Sequence, residues 1–118
     1  MNDPLYDILV KDDSASRKLA PVHSGFMRYF PNGMKAIACM SRMANDKHNP
    51  SKELGWSWNR SNDHEDCVAR HSLDGTALDE FQLPHLVARG WRAMAALEVY
   101  LVDKYGLPLP PAAYLVNE

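Results

Sequence analysis

The sequence predicts an all-α fold: a small helical bundle of about three main helices, with extended N- and C-terminal segments, completed by oligomerisation. Three observations predict it. Apolar residues recur at helical spacing in separate stretches of the chain. Those stretches are bounded by residues that start or stop helices: Pro31 and Asn49-Pro50, Asn62 and Gly75, Pro84 and Gly106. Finally, 118 residues form one domain with one modest core, and three helices carry more apolar surface than such a core covers.

Residues 1–20 read as an N-terminal arm. Within it Leu5 to Val10 is expected as a short strand or a strap across a neighbour, and Arg17 and Lys18 as adjacent cations, solvated or reaching a phosphate. Pro21 to Gly25 reads as a loop, after which Phe26, Tyr29 and Phe30 anchor the chain to the core. Pro31 starts the first helix, where its missing N–H is harmless. Met34, Ile37, Ala38, Met40 and Met43 follow at helical spacing, and the helix is expected to run to about Lys47. Asn49 to Arg60 reads as a loop whose Trp56 and Trp58 either lid the core or stack on a base.

The second helix is expected from about Asn62, where Asn62 and Glu65 make a capping-box pattern, to the stop at Gly75. At about 100° per residue, Asp63, Asp66, Arg70 and Asp74 share one arc of it, extended by Cys67, His71 and His64. Val68, Ala69 and Leu73 lie on the other side. The apolar half is expected to be packed and the polar half to face water, a metal or an anion. Pro84 opens the longest helix, to about Tyr105, with Leu86, Ala93, Leu97 and Leu101 on its packed side. His85, Arg89 and Arg92 form a cationic stripe near its start, and Gly90 allows a neighbour to approach closely. The Pro-rich tail, 107–118, is expected to pack on its own domain or on a second subunit.

Bulk numbers exclude several classes. A net charge of −2 with pI near 6.2 implies no nucleic-acid polymer as partner. A hydrophobic content of 46% with 24% charged residues suits a globular chain. Met1-Asn2-Asp3-Pro4 is not a secretory leader, and no apolar run approaches the ~20 residues of a membrane span, so a cytoplasmic protein is expected. Cys39 and Cys67 make neither a disulfide framework nor a metal pair and are expected as buried or half-buried thiols.

The stretch from Asn45 to Asp74 is the densest in groups that bind charge or move protons. It reads Lys47-His48-Asn49-Pro50, Trp56, Trp58-Asn59-Arg60, Asp63-His64-Glu65-Asp66-Cys67, Arg70-His71 and Asp74. With Pro21 to Gly25, Tyr29-Phe30-Pro31, His85 and Trp91-Arg92-Ala93, it resembles the phage and bacterial dATP/dGTP diphosphohydrolase (N-terminal domain) family over residues 15–103.

That resemblance implies hydrolysis of a purine deoxynucleoside triphosphate to monophosphate and pyrophosphate, helped by Mg²⁺ or Mn²⁺. It implies metal ligands among Asp63, Asp66, Asp74 and Asp79, with Glu80 nearby. His64, Asp66 and His71 would be the catalytic groups. Lys47, His48, Asn49, Trp56, Trp58, Arg60, Arg70, His85, Arg89 and Arg92 would bind the nucleotide, the arginines holding phosphate oxygens in forked pairs. One departure stands out. All-α pyrophosphatases of the MazG type build a carboxylate cage from ExxE and ExxD motifs, whereas the segments here, DHEDC and RHSLD, are rich in His and Arg. The alternative is therefore a non-catalytic nucleotide-binding protein, such as a phage sponge that sequesters a host signalling nucleotide.

Overall fold

In a computed structural model, which describes residues 3–50 and 52–116, three long helices form the body of the chain. They are α1 (Pro31–His48), α2 (His64–Asp74) and α3 (His85–Tyr105). The central element is α3, which packs against both others. Among the described residues no helix is long and apolar enough to cross a membrane.

The helix boundaries follow from local chemistry. Pro31 occupies the first turn of α1. Gly75 and Gly106 end α2 and α3 with positive φ, 53° and 62°, which side-chain-bearing residues rarely adopt. The packing of α1 on α3 depends on Gly90: a Cβ there would sit 3.1 Å from Ile37 Cδ1. Beside that contact, Trp91 Nε1 donates to Ser41 Oγ at 2.8 Å and pins the two helices together.

Four expectations need correction. Leu5 to Val10 is helical rather than extended: Pro4–Tyr6 makes one turn, capped by Asp3, and continues as a wider π turn over Asp7–Lys11. This arm is tied to the end of α3 by Tyr105, whose hydroxyl donates to Asp3 Oδ2 at 2.7 Å. Pro21–Gly25 is not all loop, because His23–Met27 forms a second π turn. Asn62 does not cap α2; Asp63 stands at that position, and its side chain makes no capping bond. The Asn49–Arg60 loop contains a short strand, β1 (Trp56–Ser57), which pairs in parallel with β2 (Ala113–Tyr114) of the tail. Trp56 N–H donates to Ala112 O and Trp58 N–H to Tyr114 O, each at 2.9 Å, so the tail packs on its own domain.

The face of α2 is also inverted. His64 and Cys67 are 6% and 2% exposed and turn toward α3, while Leu73 is 88% exposed. Only the His64, Cys67 and His71 edge of the polar arc is packed, where α3 offers Arg92 and His85 as partners; Asp63, Asp66, Arg70 and Asp74 are exposed.

Candidate functional site

The inward arc of α2 meets α3 at two polar clusters about two helical turns, roughly 10 Å, apart. At the start of α2, Arg92 Nη1 lies 3.0 Å from Ser61 Oγ and 3.0 Å from His64 Nδ1. Asp63 Oδ1 stands 4.0 Å from the same nitrogen. A guanidinium only donates, so His64 Nδ1 accepts and the ring proton of the neutral imidazole sits on Nε2. That Nε2–H is buried and finds no hydrogen-bond partner among the described residues. Burial first, and then the Arg92 charge, hold the His64 pKa below its ordinary value and keep the ring neutral. Burial raises the Asp63 pKa, but its own backbone N–H and Arg92 outweigh this, so its carboxylate stays ionised.

Aromatic rings surround this cluster. Trp56 packs edge-on to His64 and Trp91 and lies 4.7 Å from Trp58, centroid to centroid. The short β1–β2 pair holds these two tryptophans over the helices. Between Trp58, the start of α2 and the outer side of α3 runs an open groove of about 810 Å³. Ser61, Asn62, His64 and Glu65 give it a polar lining and Leu97, Val99 and Tyr100 an apolar one; Arg92 stands behind Ser61 and His64 rather than in the lining itself.

At the far end of α2, His71 Nδ1 and His85 Nδ1 are 2.9 Å apart, so one donates to the other. Burial, followed by the neighbouring His85, Arg70 and Arg92, lowers the His71 pKa. Asp74 Oδ2 comes within 3.9 Å of His85 Nε2.

The remaining candidates are dispersed. Lys47 pairs with Glu80 at 2.6 Å and lies over the Phe81 ring, joining α1 to the α2–α3 connector. Asn49 Nδ2 donates to Tyr114 Oη at 3.1 Å. His48, Arg60, Asp66 and Arg89 are exposed. Arg70 is exposed too and bends back to Cys67 Sγ at 3.2 Å. Of Asp63, Asp66, Arg70 and Asp74, which share one arc of the helix, only Asp63 comes near Arg92. Asp79 Oδ1 accepts the N–H groups of Phe81 and Leu83, at 2.8 and 3.1 Å, shaping the connector.

The metal set fares likewise. Asp63 and Asp74 stand at opposite ends of an 11-residue helix, about 16 Å apart along its axis. Among the described residues no group of three or more His, Cys, Asp or Glu is placed to hold a metal ion. Among the described residues the acids therefore form no carboxylate cage within one chain.

Sequence reasoning passed over Ser61, Asn62 and Tyr100. Ser61 and Asn62 stand beside Asp63 in the densest stretch of the chain, which is the signal that points to them. Tyr100 carried no signal, because its position on the open side of α3 depends on how the helices pack. No family model, curated protein or solved structure matches the chain.

Proposed function

We propose that this chain binds a purine nucleotide in the groove between Trp58, α2 and α3. The observation that carries the reading is the junction of a guanidinium cluster with an aromatic-walled groove. Arg92 supplies a cation held in place by Ser61 and His64, and such a group pairs with phosphate oxygens in forked geometry. Trp58 offers a ring to a base, and the volume is that of a small-molecule site. In this reading a phosphate takes the place beside Arg92, Ser61 and Asn62, and the base lies against Trp58. The choice of a purine rests on the family resemblance.

Hydrolysis is the second reading, favoured by ionised Asp63 beside Arg92, since a carboxylate can take a proton from an attacking water. A divalent ion carried in on a triphosphate needs only one or two carboxylates from a protein, but the acids here do not converge, so binding is placed first. The deciding experiment incubates the protein with the four deoxynucleoside triphosphates and Mg²⁺ or Mn²⁺ and follows the products chromatographically. Equilibrium binding is measured in parallel without metal. Binding of dATP or dGTP without turnover supports the first reading. Monophosphate and pyrophosphate as products support the second. Neither binding nor turnover refutes both.

A further inference from the structure

We infer that a second copy of this chain docks on the outer face of α3 and roofs the apolar lining of the groove. The argument starts from surface area. The chain exposes 8649 Å². A folded monomer of 13.3 kDa exposes about 6,450 Å², so roughly 2,200 Å² is in excess. The shape agrees: the radius of gyration is 15.8 Å, against about 13.5 Å for a compact chain of this length. A standard interface takes about 800 Å² from each partner, so the excess is large enough for a stable dimer.

Part of the exposed apolar surface is a continuous stripe on α3. Ala88 and Ala95 are buried on one side of the helix. Leu86, Ala93, Leu97 and Tyr100 lie on the opposite side, within an arc of about 60°. All four are exposed, Leu97 by 51% and Tyr100 by 55%. The sequence reading placed Leu86, Ala93 and Leu97 on the packed side; here that side waits for a partner.

The pattern along the stripe fits a copy of itself. A two-fold axis near Ala96 and Leu97 runs the helices antiparallel. It sets small Ala93 against large Tyr100 of the partner subunit. On one flank it brings Arg89 beside Asp103 of the partner subunit, opposite charges from a single sequence. Lys104 continues the same stripe one turn beyond Tyr100 and lies back over the Tyr100 and Tyr105 rings. The polar lining of the groove, Ser61, Asn62 and His64, stays open. The inference concerns the bare protein and stands whether or not a nucleotide binds.

The test is mass by light scattering and sedimentation at micromolar concentration, with no nucleotide. The wild-type chain is expected at twice 13.3 kDa or a higher multiple. Leu97→Glu and, independently, Tyr100→Glu reduce that mass, with unchanged far-UV circular dichroism because both positions are half-exposed. Leu73→Glu, on the exposed side of α2, leaves the mass unchanged. Arg89→Asp weakens assembly at least tenfold, and adding Asp103→Arg restores it. A wild-type monomer overturns the inference. So does a wild-type mass retained by folded Leu97→Glu and Tyr100→Glu proteins, or loss of assembly in Leu73→Glu alone.

Discussion

Replacing Arg92 by Met removes the group on which the polar cluster depends while keeping the length of the side chain. Two hydrogen bonds are lost from Nη1, to Ser61 Oγ and to His64 Nδ1, each 3.0 Å long. His64 is then left with both ring nitrogens unpartnered in a residue only 6% exposed. Hydrogen bonds to charged groups contribute about 1.5–3 kcal/mol, and a stranded buried acceptor costs about 1–3 kcal/mol. These terms overlap, the arginine side chain is itself 30% exposed, and Met retains the apolar packing. The expected loss is therefore about 2–3 kcal/mol. At roughly 4 °C per kcal/mol for a chain of this size, Tm falls by about 8–12 °C. Calorimetry or circular dichroism reads the melting temperature. NMR titration supplies a second reading: the His64 midpoint rises, because one of the two influences lowering it is gone, while burial remains. A Tm within about 2 °C of the parent, the range of ordinary surface changes, would refute the cluster as described.

Two further outcomes follow from the same geometry. Stability falls as pH drops from about 7.5 through 6.5, because His64 and His71 have depressed pKa values in the fold. The unfolded chain takes up their protons near 6.5 and the folded one only at lower pH, so the contribution is complete above 6.5 and lost below it. Urea midpoints at pH 7.5 and 5.5 check this; a midpoint equal or higher at pH 5.5 contradicts it. Asp79→Ala removes the acceptor of two connector N–H groups and lowers stability by about 1–2 kcal/mol, with nucleotide affinity unchanged. A large affinity loss without destabilisation would return Asp79 to the binding site.

The long helices were legible because Pro31, Pro84, Gly75 and Gly106 act locally, through φ restrictions that hold in any context. The short sheet was not, since two residues of Trp56–Ser57 find Ala113–Tyr114 only after the helices bring the tail across. The orientation of α2 shows how tertiary structure overrides pattern. An amphipathic reading sends His64, Cys67 and His71 outward and Leu73 inward. It fails because Arg92 and His85 give His64 Nδ1 and His71 Nδ1 hydrogen-bond partners, which lowers the penalty for burying those rings even though His64 Nε2 stays unpartnered among the described residues. Arg92, His64 and Asp63 were each singled out from sequence, but their convergence was not. The set proposed with them assumed that every group on one helical arc shares one site, whereas α2 is long enough to separate Asp63 from Asp74 by its full length.

The central claim is that a nucleotide enters the groove beside Arg92. Its most direct measurement is an NMR titration of the wild-type chain with dGTP and dATP in the presence of a chelator, observing the indole N–H signals and the histidine rings. The account predicts that Trp58 and His64 shift together and saturate with one micromolar constant. Trp91, whose N–H is tied to Ser41, shifts least. The Arg92→Met protein should show at least a tenfold weaker constant. No shift of Trp58 or His64 at millimolar nucleotide, or saturable shifts confined to other residues, would contradict it.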